Sequence, residues 1–118
     1  MRRASGGKPP WVTDSPPATV TESDGAVTAG LAGELDMAAT FTAEPALERA
    51  MESPGLESFT LDLSELSFID STGMGLVLRV AGDLQARGVP LRILPGPRPV
   101  HQVFESTGMA EALPFERP

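Results

Sequence analysis

The apolar period of this chain changes at Asp70. Ahead of it, Phe59-Thr60-Leu61-Asp62-Leu63 alternates apolar and polar side chains, and Leu66, Phe68 and Ile69 carry the apolar content onward. A period of two is that of a half-buried strand. Behind Asp70, Met74, Val77, Leu78, Ala81 and Leu84 recur at helical spacing, with Arg79, Asp83 and Arg87 off that face and Gly88 as the stop. A strand that feeds a helix within one turn needs other strands beside it and a sheet for the helix to cover. That requirement excludes all-helical bundles and sandwiches and leaves an α/β layer.

The flanking segments supply the other layers. Residues 20–31 read as a hairpin turning at Ser23-Asp24-Gly25, with Gly30 and Gly33 bracketing its end. Leu47, Ala50 and Met51 mark a helix that Ser53-Pro54-Gly55 stops. Pro45 fits only a helix's first turn, which leaves residues 37–44 unassigned. Leu91-Arg92-Ile93-Leu94 reads as a short strand, residues 97–106 as an amphipathic helix on Val100, Val103 and Phe104, and residues 112–115 as a final edge strand. Strands alternating with helices predict a largely parallel sheet. Residues 1–17, rich in Pro, Gly, Ser and Thr without apolar period, read as a disordered tail, in which Trp11 is the residue able to dock; residues 18–118 form the domain.

Composition removes whole classes of chemistry. With no cysteine there is no disulfide, zinc thiolate or thiol nucleophile, and His101 is the only histidine, so no metal or cofactor is expected. The longest apolar stretch, residues 73–81, is broken by Arg79 and falls far short of the ~20 residues that span a bilayer, and the basic start at Arg2-Arg3 has no apolar core behind it. A cytoplasmic protein without membrane partners is the expectation. Charge is unevenly spread: residues 1–10 hold three basic groups and no acid, residues 11–78 hold twelve acids against Arg49 alone, and the remainder holds five basic groups against four acids. The acidic stretch would repel a phosphate backbone, so no direct nucleic-acid contact is expected, while a basic protein would be drawn to it.

Chemistry concentrates around residues 62–75. Asp70 or Ser71 is positioned to cap the helix that follows, because either side-chain oxygen can accept from N–H groups one turn on. First-turn N–H groups lack partners within the helix and carry the positive end of its dipole, so a phosphate on a serine there is tolerated. Gly73 and Gly75 would keep the surface beside Ser71 bare for close approach by another chain, or else serve tight helix–strand packing.

Gly33-Glu34-Leu35-Asp36, Leu61-Asp62-Leu63-Ser64 and Phe68-Ile69-Asp70-Ser71-Thr72-Gly73-Met74-Gly75, in that order and spacing, closely resemble the bacterial anti-sigma factor antagonists, the founding group of STAS domains; Glu105-Ser106-Thr107-Gly108-Met109 resembles the same family's helix-end turn. The resemblance covers residues 18–116. It implies a four- or five-stranded mixed sheet with helices on one side, in a protein that is not an enzyme. It further implies an anti-sigma factor partner that is also a serine kinase of the GHKL class. The unphosphorylated antagonist binds that kinase and frees the sigma factor, phosphorylation switches binding off, and a serine phosphatase resets it. Ser71 is then the acceptor, Thr72 a secondary candidate where a second serine is common, and Asp36, Asp70, Ser71, Thr72, Gly73 and Met74 the docking face. The protein is expected as a monomer or weak dimer. Pro45, where the family's first helix is under way, implies a kinked or late-starting helix.

Other readings fit the residues poorly. A serine hydrolase with Ser71 as nucleophile and His101 as base lacks the nucleophile-elbow pattern, because Ile69 stands in the first glycine's place. Asp70-Ser71-Thr72-Gly73 misses aspartic-protease spacing by one residue, and no lysine accompanies the glycines as a phosphate-binding loop requires. The runner-up inside the resemblance is a helper subunit of a lipid-transport ATPase.

Overall fold

A computed structural model describes residues 18–116; the expected tail lies outside them. Strands β1 (Ala18–Ser23) and β2 (Ala26–Leu35) form the hairpin, followed by α1 (Met37–Met51), β3 (Ser58–Ile69), α2 (Ser71–Ala86), β4 (Leu91–Leu94), α3 (Arg98–Ser106) and the single turn α4 (Met109–Ala112). The four strands lie in sequence order, β1–β2 antiparallel, β2–β3 and β3–β4 parallel. The hairpin turns on Asp24 and Gly25, both at positive φ, the two-residue geometry whose twist matches the strands it joins.

Helices cover one face. Val27, Ala29 and Leu31 of β2, Phe59, Leu61 and Leu63 of β3 and Ile93 of β4 are buried on that side together with Leu47, Val77, Val80, Leu84, Val100 and Phe104 from the helices. Strict alternation fails beyond Leu63: the next buried residues are Leu66 and Ile69, three apart, and the β2–β3 register slips between Gly30 and Ala32 and again between Gly33 and Glu34. Each slip inserts one residue and bends the strands while returning an apolar side chain to the core. The expectation that Gly30 and Gly33 end the second strand is therefore corrected; β2 runs through both to Leu35.

Three further expectations change. Helix α1 starts at Met37 and passes through Pro45, neither late nor broken. Pro45 lies opposite the buried stripe of Thr40, Ala43, Leu47 and Ala50, so the Phe41 carbonyl that loses its partner faces water. On α2 the buried stripe is Gly73, Leu76, Val77, Val80 and Leu84 with Met74, leaving Leu78 exposed and Ala81 half-buried. The expected last strand is instead α4 followed by one bridge. Phe115 pairs with Ile93 in parallel, the Ile93 N–H donating to Pro114 O and the Glu116 N–H to Ile93 O. Two backbone bonds thus close the β4 edge, and Phe115 stacks edge-on against Phe104 and His101.

Candidate functional site

The parallel pairing of β2 and β3 builds the site. Leu35 stands opposite Ile69 at the carboxyl ends of these strands, and the Asp70 N–H donates to Leu35 O at 3.3 Å. The next residue of each strand is an aspartate, so Asp36 and Asp70 lie side by side at one pole of the sheet. Each caps the helix that follows: Asp36 Oδ1 accepts from the Ala39 N–H and Asp70 Oδ1 from the Gly73 N–H, both at 2.9 Å. Both residues keep extended backbone, as an N-cap requires. Of the two cap candidates at the second helix, Asp70 is the cap and Ser71 the first helical residue. Ser71 is exposed, beside first-turn N–H groups that the helix itself does not use.

The remaining expected residues divide by direction. Thr72 is half-buried and lies on the side of α2 that continues through Leu76 to Arg79, whose guanidinium meets Glu44 of α1 at 2.9 Å. Ser71 lies about 100° around the helix from it, on the stripe of Met74 and Leu78. Gly73 is buried: a Cβ there would stand 2.5 Å from Leu35 O and 3.0 Å from Ile69 Cγ1. Its expected part in baring the surface is corrected to letting α2 sit against the end of β2. Met74 is 8% exposed and packs inward, its sulfur accepting from the Thr107 hydroxyl at 3.7 Å. Gly75 is the glycine that leaves open surface, since only Arg79 Nη1 comes within 4 Å of its missing Cβ, at 3.8 Å.

Two residues absent from the expected set belong to this pole. Met37 is 69% and Phe41 82% exposed, one turn apart at the start of α1. An apolar pair at i, i+4 beginning right after a cap at Asp36 is the available signal, and Pro45 masks it by discouraging a helix there. His101, the base of a hydrolase reading, packs its ring 4.7 Å from that of Phe115 with a buried Nδ1. It makes no hydrogen bond to Ser71 among the described residues. No group of metal-ligating side chains occurs among them either, and no helix there is long and apolar enough to cross a membrane.

A single α/β domain with a four-stranded mixed sheet and helices is the architecture of a STAS domain. The STAS-domain family model matches residues 17–117, and the chain belongs to that family. Among its relatives is the anti-sigma F factor antagonist of Paenibacillus polymyxa, 26% identical over 85 residues that make up 72% of this chain and 73% of that one. The unphosphorylated anti-sigma factor antagonist SpoIIAA superimposes with a TM-score of 0.70 at 25% identity, over 85% of this chain and 88% of the other. The Bacillus cell fate determinant SpoIIAA in its phosphorylated form gives 0.64 at 24% identity, over 85% and 91%, a likeness of fold alone.

Proposed function

We propose that this protein is an anti-sigma factor antagonist switched by phosphorylation of Ser71. Unphosphorylated, it binds an anti-sigma factor that is also a GHKL-class serine kinase, and the sigma factor is released. The kinase transfers the γ-phosphoryl group of ATP to Ser71 Oγ, the hydroxyl proton leaving to the kinase and ADP departing. A serine phosphatase later hydrolyses the ester. The docking face comprises Asp36, Asp70, Ser71 and Thr72, with Gly73 and Met74 shaping it from beneath.

One observation carries this reading: an exposed serine occupies the first position of a helix capped by Asp70, at a pole shared with the Asp36 cap. A phosphate adds about −1.5 to −2 charge. Within the domain, the first-turn N–H groups and helix dipole offset that charge. At an interface it stands beside two carboxylates and must be desolvated, a penalty of roughly 3–4 kcal/mol. Affinity falls about a hundredfold to a thousandfold. Thr72 is half-buried, which favours the exposed Ser71 over it as acceptor. SpoIIAA, the relative of matching fold, is known in unphosphorylated and phosphorylated forms.

The test is incubation with ATP and GHKL anti-sigma kinases, followed by pull-down of wild type, Ser71→Ala and Ser71→Asp. Stoichiometric label on Ser71, retention of the alanine variant and loss of the aspartate variant are expected. Equal retention of all three, or label that persists in Ser71→Ala, overturns the proposal.

A further inference from the structure

Helices α1 and α2 leave a groove of about 580 Å³ between them, floored by Leu47, Met51, Leu76 and Val80. Its charged rim is not balanced. Arg79 is taken by Glu44, and Arg87 by Asp83 and by the Met51 carbonyl that ends α1. Glu48 and Glu52, also on the rim, have no cationic partner among the described residues. Helical spacing carries this rim upward: Met37, Phe41, Glu44 and Glu48 of α1 and its C-cap Glu52 follow one another at steps of three and four. This row is apolar at the pole and acidic below it.

We propose that residues 1–17 of the same chain dock along this groove, with Trp11 against Phe41 and Met37 and the basic residues Lys8, Arg3 and Arg2 along Glu48 and Glu52. The charges are complementary: residues 1–17 hold three basic groups against Asp14, whereas residues 18–116 hold fifteen acids against five arginines. Reach is sufficient, because Ala18 pairs with Leu31 on the pole-ward half of the hairpin, and the seven residues from Trp11 to Ala18 extend up to about 23 Å. That is about the path needed to climb past and cross a helix ~10 Å wide packed on the sheet. Docking so placed shields the two most exposed large apolar side chains of the described surface.

Trp11 is the only tryptophan and the chain has no tyrosine, so its fluorescence reports the tail without labelling. In the full-length protein, acrylamide quenching is expected at least threefold below that of N-acetyltryptophanamide, independent of protein concentration. It should rise toward the free value in Glu48→Lys/Glu52→Lys and in Lys8→Glu/Arg3→Glu, the latter changing no residue of the folded domain. Combining Lys8→Glu with Glu48→Lys should restore part of the protection. Quenching in the wild type equal to the free indole overturns the proposal. So does protection that survives both charge reversals, which places the tail elsewhere, or protection lost on dilution, which makes the occupant a second copy.

Discussion

Two glycines on α2 show how one residue type serves opposite ends. A Cβ at Gly73 would press into the Leu35 carbonyl, which cannot move without breaking the register that brings Asp36 beside Asp70. Gly73→Ala is therefore expected to destabilise the domain by about 1–3 kcal/mol, as overpacking does. Gly82 faces open space, and a methyl group added there would meet nothing within 4 Å. Gly82→Ala should stabilise by about 0.5–1 kcal/mol through helix propensity alone. Urea denaturation of both variants checks the pair; shifts of the same sign would refute the packing assignment. The Asp70 cap is measurable in the same way. Asp70→Ala leaves the Gly73 N–H without its acceptor and should cost about 1 kcal/mol, and Asp70→Asn, which still offers an oxygen, much less. Sequence alone shows that a cap stands at Asp70 or Ser71 and that glycines follow. It does not separate a glycine needed for close approach from one left open, because that difference lies in what the neighbouring strand end does.

At the level of elements, the hairpin turn, the strand–helix junction at Asp70 and the four-residue β4 are legible because each rests on local chemistry: a turn pair, a change of period, an apolar run between breakers. Elements governed by tertiary context are not. The two bulges shift β3 burial from steps of two to steps of three, a change no single-strand pattern announces. The last segment has the residues of a strand but closes the β4 edge with one bridge, since Ala112 is already held in α4. Helix α1 reads as starting late when proline propensity is weighed without knowing which face the ring occupies. Pro45 still removes one hydrogen bond to Phe41 O and crowds that carbonyl. Pro45→Ala should restore the bond and stabilise the domain by about 1–3 kcal/mol, below the full interior penalty because the site is solvent-facing. A higher urea midpoint at unchanged slope is the expected reading. A lower midpoint would mean that the ring itself packs usefully.

Over the whole molecule, charge sets a behaviour that no individual contact reveals. The described residues carry fifteen acids and five arginines, a net −10, while the rest of the chain brings the total to −7. The ion pairs that offset this excess are exposed: Arg79–Glu44, Arg87–Asp83 and Arg92–Glu116. Such pairs contribute little each and weaken with salt. Self-repulsion among the remaining carboxylates opposes the compact state and is screened by the same salt. With fifteen acids against five arginines in residues 18–116, the second effect should win. Raising sodium chloride from about 20 mM to about 0.5 M, where the screening length drops from roughly 20 Å to a few ångströms, should increase stability by roughly 1 kcal/mol, or about 4–8 °C in Tm. The same salt should release the basic tail from the acidic groove, so Trp11 becomes more accessible to acrylamide while the fold becomes harder to melt. A Tm that falls as salt rises would instead mean that the few arginine pairs outweigh the acidic excess, and the picture of a self-repelling acidic body would have to be abandoned.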